Sequence, residues 1–418
     1  MKVLVIGGGG REHAIVWKLS QSKHIDKVYC CPGNAGITGI AECVDISLDD
    51  FKTLIDFVKY EWIDLTVVCH EASVLSGIVN AFEREGCRVL GPSKEVAQVF
   101  AHRSTLKSLM RFYRIPATEF KVFTSYLHAE DYVRLKGAPI VIKTDTCDGC
   151  DGTIIALAVE GAVRALRMTM KEGFWGDRGE KVIVEERLKG DEISILVLTD
   201  GTTVKLLTSL YKYRHLHEGN RGLYTACAGA YSPVPSVTKE LENIILEEVI
   251  FPLLRALDSE GIKLRGILSA DLIIDKKKPH ICNFSCCAGD LEMMTILPRL
   301  KTDFADIVLA LSEERISGIS IDWEKRTSLC VVTMSEGYPG KWITGSVIKG
   351  LEKINAMKDV FLFHHNTAFD NGDIVNTGGR VVSLTATGSS IEDTMVKAYG
   401  ALKEIHFEGM YYRKDIGT

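Results

Sequence analysis

A run of four glycines directly after a short apolar strand constrains this chain more than anything else in it. Lys2-Val3-Leu4-Val5-Ile6 is rich in branched residues and has no alternating polar face, as expected of a strand covered on both sides in a parallel sheet. Gly7 to Gly10 follow, and Arg11 to Leu19 then places apolar residues at helical spacing. A strand, a turn without side chains and a helix start together let backbone N–H groups approach a phosphate at the positive end of the helix. The same pattern serves as a tight turn in any doubly wound domain, so it specifies the fold before any ligand. Apolar runs at Lys27 to Cys30, Leu65 to Val68 and Cys87 to Leu90 extend the alternation into an α/β domain. Cys31-Pro32-Gly33-Asn34-Ala35-Gly36 and Glu71 then fall at the carboxyl ends of strands, where open sheets bind ligands. For Glu71 alone, a solvated loop acid is the plainer reading.

The chain has 418 residues, more than one core of at most about 250–300 residues accommodates. With 50 basic and 55 acidic residues its net charge is −5, so no global positive field exists to hold a nucleic acid or an anionic membrane. No run of about 20 apolar residues is present. The expectation is a cytoplasmic protein with small-molecule partners, no nucleic acid and no membrane, as a monomer or homodimer. Its twelve cysteines are then expected as thiols rather than disulfides. Further along, Gly137 to Lys143 and Lys181 to Glu186 read as strands flanking an amphipathic helix near Glu160 to Lys171, a small β-rich lid. Leu268 to Ile274 and His280 to Phe284 read as a hairpin, and Tyr211 to Ala228 as a long polar loop.

Met1 to His13, the segment Cys31 to Gly36, Gly337-Tyr338-Pro339-Gly340, Gly378-Gly379-Arg380 and the terminal stretch Ile405 to Gly417 together resemble the phosphoribosylamine–glycine ligase family, the glycinamide ribonucleotide synthetases, from end to end. The resemblance implies an ATP-grasp α/β fold: an N-terminal doubly wound domain (1–100), a central ATP-grasp domain (101–120 and 188–325), a small lid (121–187) and a C-terminal domain (326–418). It also implies an ATP-dependent carboxylate–amine ligase of purine biosynthesis that uses magnesium and joins an amino acid, glycine, to a phosphoribosyl amine. On that basis Arg103, Lys143, Glu185, Glu186 and Glu192 match nucleotide-binding positions. Gly8, Gly9, Gly10, Arg11, Glu12, Asn34, Ala35, Gly36 and Glu71 match the phosphoribosylamine region. Asp290 and Glu292 keep the acids of Gly289-Asp290-Leu291-Glu292, near the acceptor.

Other positions depart from the family pattern. The lid loop reads Lys143-Thr144-Asp145-Thr146-Cys147-Asp148-Gly149-Cys150-Asp151-Gly152, with Asp151 where the family has a phosphate-binding lysine. Tyr211-Lys212-Tyr213-Arg214-His215 puts Lys212 where the family has an acid near the glycine amine. Asn283-Phe284-Ser285-Cys286-Cys287 replaces a magnesium glutamate and asparagine by Asn283 and Ser285, and an arginine by Cys287. Asp271 stands at a family glycine, twelve residues before Asn283. The two together are either a rebuilt magnesium site or, for Asp271, a strand salt bridge. Two alternatives to the ligase follow: an inactive or repurposed homologue that binds a nucleotide or phosphoribosyl ligand, and a metal or redox site lined by Cys147, Cys150, Cys227, Cys286 and Cys287. The histidines, among them His13, His364 and His365, form no triad with a serine or cysteine and are expected in surface or hydrogen-bonded roles.

Overall fold

The structure is a computed structural model that describes residues 1–146 and 152–418. Five parallel strands form the N-terminal sheet: β1 (Lys2–Gly7), β2 (Lys27–Pro32), β3 (Glu42–Cys43), β4 (Leu65–Val68) and β5 (Val89–Leu90), in spatial order 3-2-1-4-5. Burial explains the composition of β1, whose Val3 to Ile6 are covered on both faces. The helix after the glycines spans Gly10–Leu19. Its first turn closes on itself, because the Gly9 N–H donates to Glu12 Oε2 at 2.8 Å.

A second, four-stranded sheet holds β6 (Phe120–Phe123), β7 (Ile140–Thr144), β8 (Thr153–Ala156) and β9 (Val182–Glu186), in order 6-9-7-8, with the helix Val159–Met170 packed on it. The period of two decides what each side chain does there. Ile140 and Ile142 enter the core of this sheet, as do Val182 and Val184, which turns Val141, Lys143 and Glu185 to the opposite face.

The remaining strands are β10 (Asp191–Thr199), β11 (Val204–His217), β12 (Arg221–Ser232), β13 (Gly266–Asp275), β14 (Lys278–Ser285), β15 (Thr327–Met334), β16 (Val360–His364), β17 (Thr367–Asp370), β18 (Asp373–Asn376) and β19 (Arg380–Gly388). Eight of them make one sheet, ordered 14-13-10-11-12-15-19-16, while β17 and β18 pair separately. The hairpin expected near Leu268 is present as β13 and β14, turning at Lys276 and Lys277, which both have positive φ. The polar loop expected over Tyr211 to Ala228 is instead the hairpin β11–β12. Its Lys, Arg and His residues obscured the strand pattern, in which Tyr211 and Tyr213 pack toward Tyr231 on one face while Lys212 and Arg214 point to the other.

Candidate active site

One cavity of about 960 Å³ opens where the three sheets converge. Gly8, Gly9, Arg11, Glu12, Asn34, Glu71, Arg103, Lys143, Glu185, Glu186, Glu192, Asp271, Asn283, Asp290 and Glu292 all line it, although they come from distant parts of the chain. Gly10, Ala35 and Gly36 do not. A Cβ on Gly10 would meet the His365 ring at 2.7 Å, and one on Gly36 would meet the His364 and His13 rings. Both glycines therefore permit close packing of the C-terminal region on the N-terminal sheet. Ala35 is buried, and its N–H donates to Thr367 O. Asn34 has a similar tie: its amide donates to Gly8 O and His364 O, both at 2.9 Å, while its oxygen accepts from the Gly36 and Ile37 N–H groups.

On the lid side, Lys143 Nζ lies 3.0 Å from Glu185 Oε2 and 3.3 Å from the Cys282 carbonyl of β14. Glu185 also meets Lys107 at 3.2 Å and accepts from Thr118 at 2.9 Å. Burial would raise the Glu185 carboxyl, but Lys143 and Lys107 outweigh it and hold the group ionised. Lys107 was not foreseen from the sequence. It sits buried on the helix Arg103–Phe112, with its ammonium over the Phe120 ring of β6 and paired with Glu185 of β9. Val141 and Ile155, cross-strand partners on β7 and β8, form an apolar shelf, with Arg103, Lys143, Arg187 and Lys189 also on the cavity wall. An apolar shelf edged by basic side chains suits a base and an anionic phosphate chain, so these residues fit ATP.

The floor is built differently. Lys212 Nζ lies 2.7 Å from both Asp271 Oδ1 and Glu292 Oε1, and Arg214 takes Asp271 Oδ2 at 2.8 Å. Ser194 Oγ donates to Asp271 Oδ1 at 2.6 Å. Burial would lower the Lys212 ammonium, yet Asp271 and Glu292 outweigh that and raise it, so it is fully charged near neutrality. Asp271 is held well below the usual carboxylate range by Arg214 and Lys212 against the opposing effect of burial. Asp271 and Asn283 are direct cross-strand partners, as their spacing anticipated, but both Asp271 oxygens already serve cations. Magnesium needs several oxygen ligands in octahedral geometry, and Asn283 and Ser285 bring no charge. As they stand, the floor residues do not fit a chelated magnesium ion. Among the described residues, the one grouping of three His, Cys, Asp or Glu able to share a metal is His24, Asp303 and Asp306, outside the cavity.

Between floor and glycines, Asp290 accepts from the Arg11 N–H at 3.1 Å and pairs with Arg380 at 2.7 Å and His365 at 3.5 Å. Arg11 also binds Glu12 and the Ala288 carbonyl. Burial opposes ionisation of Asp290, but Arg380, His365 and Arg11 overcome it. Arg380 was noted only within a motif, and its partner lies 90 residues away, beyond the reach of pattern reading. The cysteine-lined cleft is real in part, since Cys227, Cys282, Cys286 and Cys287 all face the cavity. Burial raises Cys227 and Cys282 to about 11, and a hydrogen bond with Cys286 together with burial raises Cys287 well above the ordinary thiol value. Cys227, Cys282 and Cys287 are therefore protonated thiols, poor as nucleophiles or ligands. Cys147, Cys150 and Asp151 lie outside the described residues.

Three family models cover nearly the whole chain: the phosphoribosylglycinamide synthetase N domain over residues 1–99, its ATP-grasp (A) domain over 101–293 and its C domain over 328–418. The chain belongs to the phosphoribosylglycinamide synthetase family. Its relatives include the phosphoribosylamine–glycine ligase of Caldanaerobacter subterraneus subsp. tengcongensis, 41% identical over 418 residues and 100% of both chains. That of Halalkalibacterium halodurans is 37% identical, covering 100% of this chain and 97% of the relative. Among solved structures, phosphoribosylamine–glycine ligase from Thermotoga maritima superposes with a TM-score of 0.83 at 26% identity, covering 100% of both chains. The biotin carboxylase domain of Hydrogenobacter thermophilus 2-oxoglutarate carboxylase, solved with MgADP, gives 0.71 at 14% identity, with 98% and 91% covered. The protein is thus an ATP-grasp α/β protein resembling the carboxylate–amine ligase of purine biosynthesis, as its sequence motifs implied.

Proposed function

We propose that this protein uses ATP to join a small carboxylic acid to a phosphoribosyl amine. The carrying observation is that one cavity brings together an apolar shelf edged by Lys143 and Arg103, and the glycine turn at Gly8 and Gly9. In this reading the adenine rests on Val141 and Ile155 beside the segment from Glu185 to Glu192, and Lys143 and Arg103 face the phosphates. The phosphoribosyl group lies toward Gly8, Gly9 and Arg11. ATP supplies the activation: its terminal phosphoryl passes to the carboxylate, ADP leaves, and the amine then displaces phosphate. Asp290, kept ionised and tied to the helix start, is positioned to orient the incoming amine. Glycine and 5-phosphoribosylamine are the first substrates to test.

A second reading, ligand binding without ligation, is favoured by one observation: the floor carboxylates are spent on Lys212 and Arg214. The deciding experiment measures ADP and phosphate release from ATP with glycine and chemically generated phosphoribosylamine, alongside ATP binding by calorimetry. Product formation supports the ligase. Binding with no product after prolonged incubation leaves the second reading, and no ATP binding removes both nucleotide readings. No helix among the described residues is long and apolar enough to cross a membrane. We place the protein in the cytoplasm, as a monomer or homodimer.

A further inference from the structure

The floor of the cavity contains a cation of its own. Lys212 lies on β11 two residues before Arg214, on the face opposite Tyr211 and Tyr213, so strand geometry aims both into the cavity. Its ammonium is buried and meets carboxylates from two separate elements, Asp271 on β13 and Glu292 on the helix Asp290–Ile296. That is the donor arrangement by which two acids converge on one divalent ion. Here the position between them is filled by nitrogen. The second Asp271 oxygen is closed by Arg214 and its first is shared with Ser194, so Asp271 is committed at both oxygens, while Glu292 holds Lys212 through Oε1. Two cations and two acids balance, and an added dication would have to expel an ammonium from a low-dielectric site whose attraction it cannot match without further ligands.

The geometry points to Lys212 as a built-in cation that replaces a protein-bound divalent ion at the cavity floor: Asp271 and Glu292 bind the ammonium instead of a metal, and the protein takes up nucleotide without a metal held by its own acids. What the cation does for chemistry rests on the ligase reading. That it excludes a metal does not.

Two measurements test this on the full-length chain. The first is manganese binding to the nucleotide-free protein, read by electron paramagnetic resonance. The native chain is expected to show no site that depends on Asp271, whereas Lys212→Met uncovers Asp271 Oδ1 and Glu292 Oε1, with Arg214 still on Asp271 Oδ2, and gains a manganese site at least tenfold tighter than any nonspecific binding by the native chain. Lys212→Met with Glu292→Gln loses it again, and this double variant also removes the unpaired buried acid, so it serves as the folding control. Manganese bound by the native chain and lost on Asp271→Asn overturns the proposal, as does a folded Lys212→Met that binds none. Should Lys212→Met not fold alone, its recovery on adding manganese supports the proposal, and failure to recover while the double variant folds counts against it.

The second measurement is ATP affinity of the native chain in excess magnesium and in EDTA. A change below about threefold is expected; a loss of tenfold or more in EDTA that Asp271→Asn abolishes contradicts the built-in cation. If ATP binds in neither condition, the ligase reading fails and the manganese result decides this proposal alone.

Discussion

The two charged clusters of the cavity are both buried, yet they belong to different mechanical settings. The Lys143–Glu185–Lys107 group straddles a seam: its acid is on the small lid sheet, one lysine is on a helix, and Lys143 also reaches the Cys282 carbonyl on the eight-stranded sheet. The Lys212–Asp271–Arg214 group lies within three neighbouring strands of one sheet, with Glu292 added from the helix behind it. Contacts across a seam exchange with a ligand as the two sides adjust. Contacts fixed within a sheet hold shape, and their removal costs stability before it costs binding. On the proposed reading the lid cluster serves the ligand and the floor cluster serves the fold.

The strongest challenge to this contrast is Asp271→Asn, which strands Lys212 and Arg214 beside one remaining acid. Breaking a buried pair by deleting one partner costs about 3–5 kcal/mol, so denaturant unfolding should show a loss of that size, unrelieved by ATP beyond ordinary binding linkage. Glu185→Gln removes the shared acid of the lid cluster and should cost about 2–4 kcal/mol in the same assay. Here ATP should bind at least as tightly as to the native chain, because its phosphates supply the missing negative charge. If both variants respond alike to ATP, the division between the clusters is wrong. Lys143→Ala should leave stability nearly unchanged, since Lys107 still pairs with Glu185, while weakening ATP binding by about 1.5–3 kcal/mol, roughly ten- to a hundredfold in Kd. Calorimetry reads that directly.

A third region, uncharged, gives the smallest effect. His13 Nδ1 accepts from the His364 N–H at 2.9 Å, which requires a neutral ring. Burial, then neighbouring histidines, lower His13 to about 3 and His364 to about 4. Both are depressed bases, so the unfolded chain takes up protons first as pH falls below about 6.5, and native stability declines from there until the folded values are reached. At pH 5 each histidine accounts for about 2 kcal/mol of that decline. His364→Gln should therefore lose about 1–2 kcal/mol less than the native chain between pH 7 and pH 5; parallel curves would show that these histidines do not titrate on unfolding.

How much of this was legible depended on distance along the chain. Lys143 and Glu185 are placed by the family resemblance, and the period of two of their strands is what turns both side chains away from the core. The Asp271–Asn283 adjacency followed from hairpin spacing, and the strand salt bridge, one of the two readings of Asp271, is the one found. The identity of its partner was hidden, because Lys212 and Arg214 stand on a strand that looked like a polar loop, 59 and 57 residues earlier. Nothing in the sequence around Lys107 sets it apart from other basic residues, because its partners Glu185 and Thr118 come from other segments. Gly10 and Gly36 match the phosphoribosylamine region by resemblance, and in the structure the space beside them is taken by the rings of His365 and His364. Asn34 matches the phosphoribosylamine region and lines the cavity, while its amide joins its loop to Gly8 O and His364 O and its oxygen closes its own turn on Gly36 and Ile37. A glycine or a small amide marks close approach, but the sequence does not say of what.

The eight-stranded sheet runs unbroken from β14, which carries Asn283, to β16, which ends at His364. One backbone ladder therefore carries both the Cys282 carbonyl that Lys143 meets and the His364 carbonyl to which Asn34 donates, so the lid contact and the N-terminal loop contact are built on the same framework.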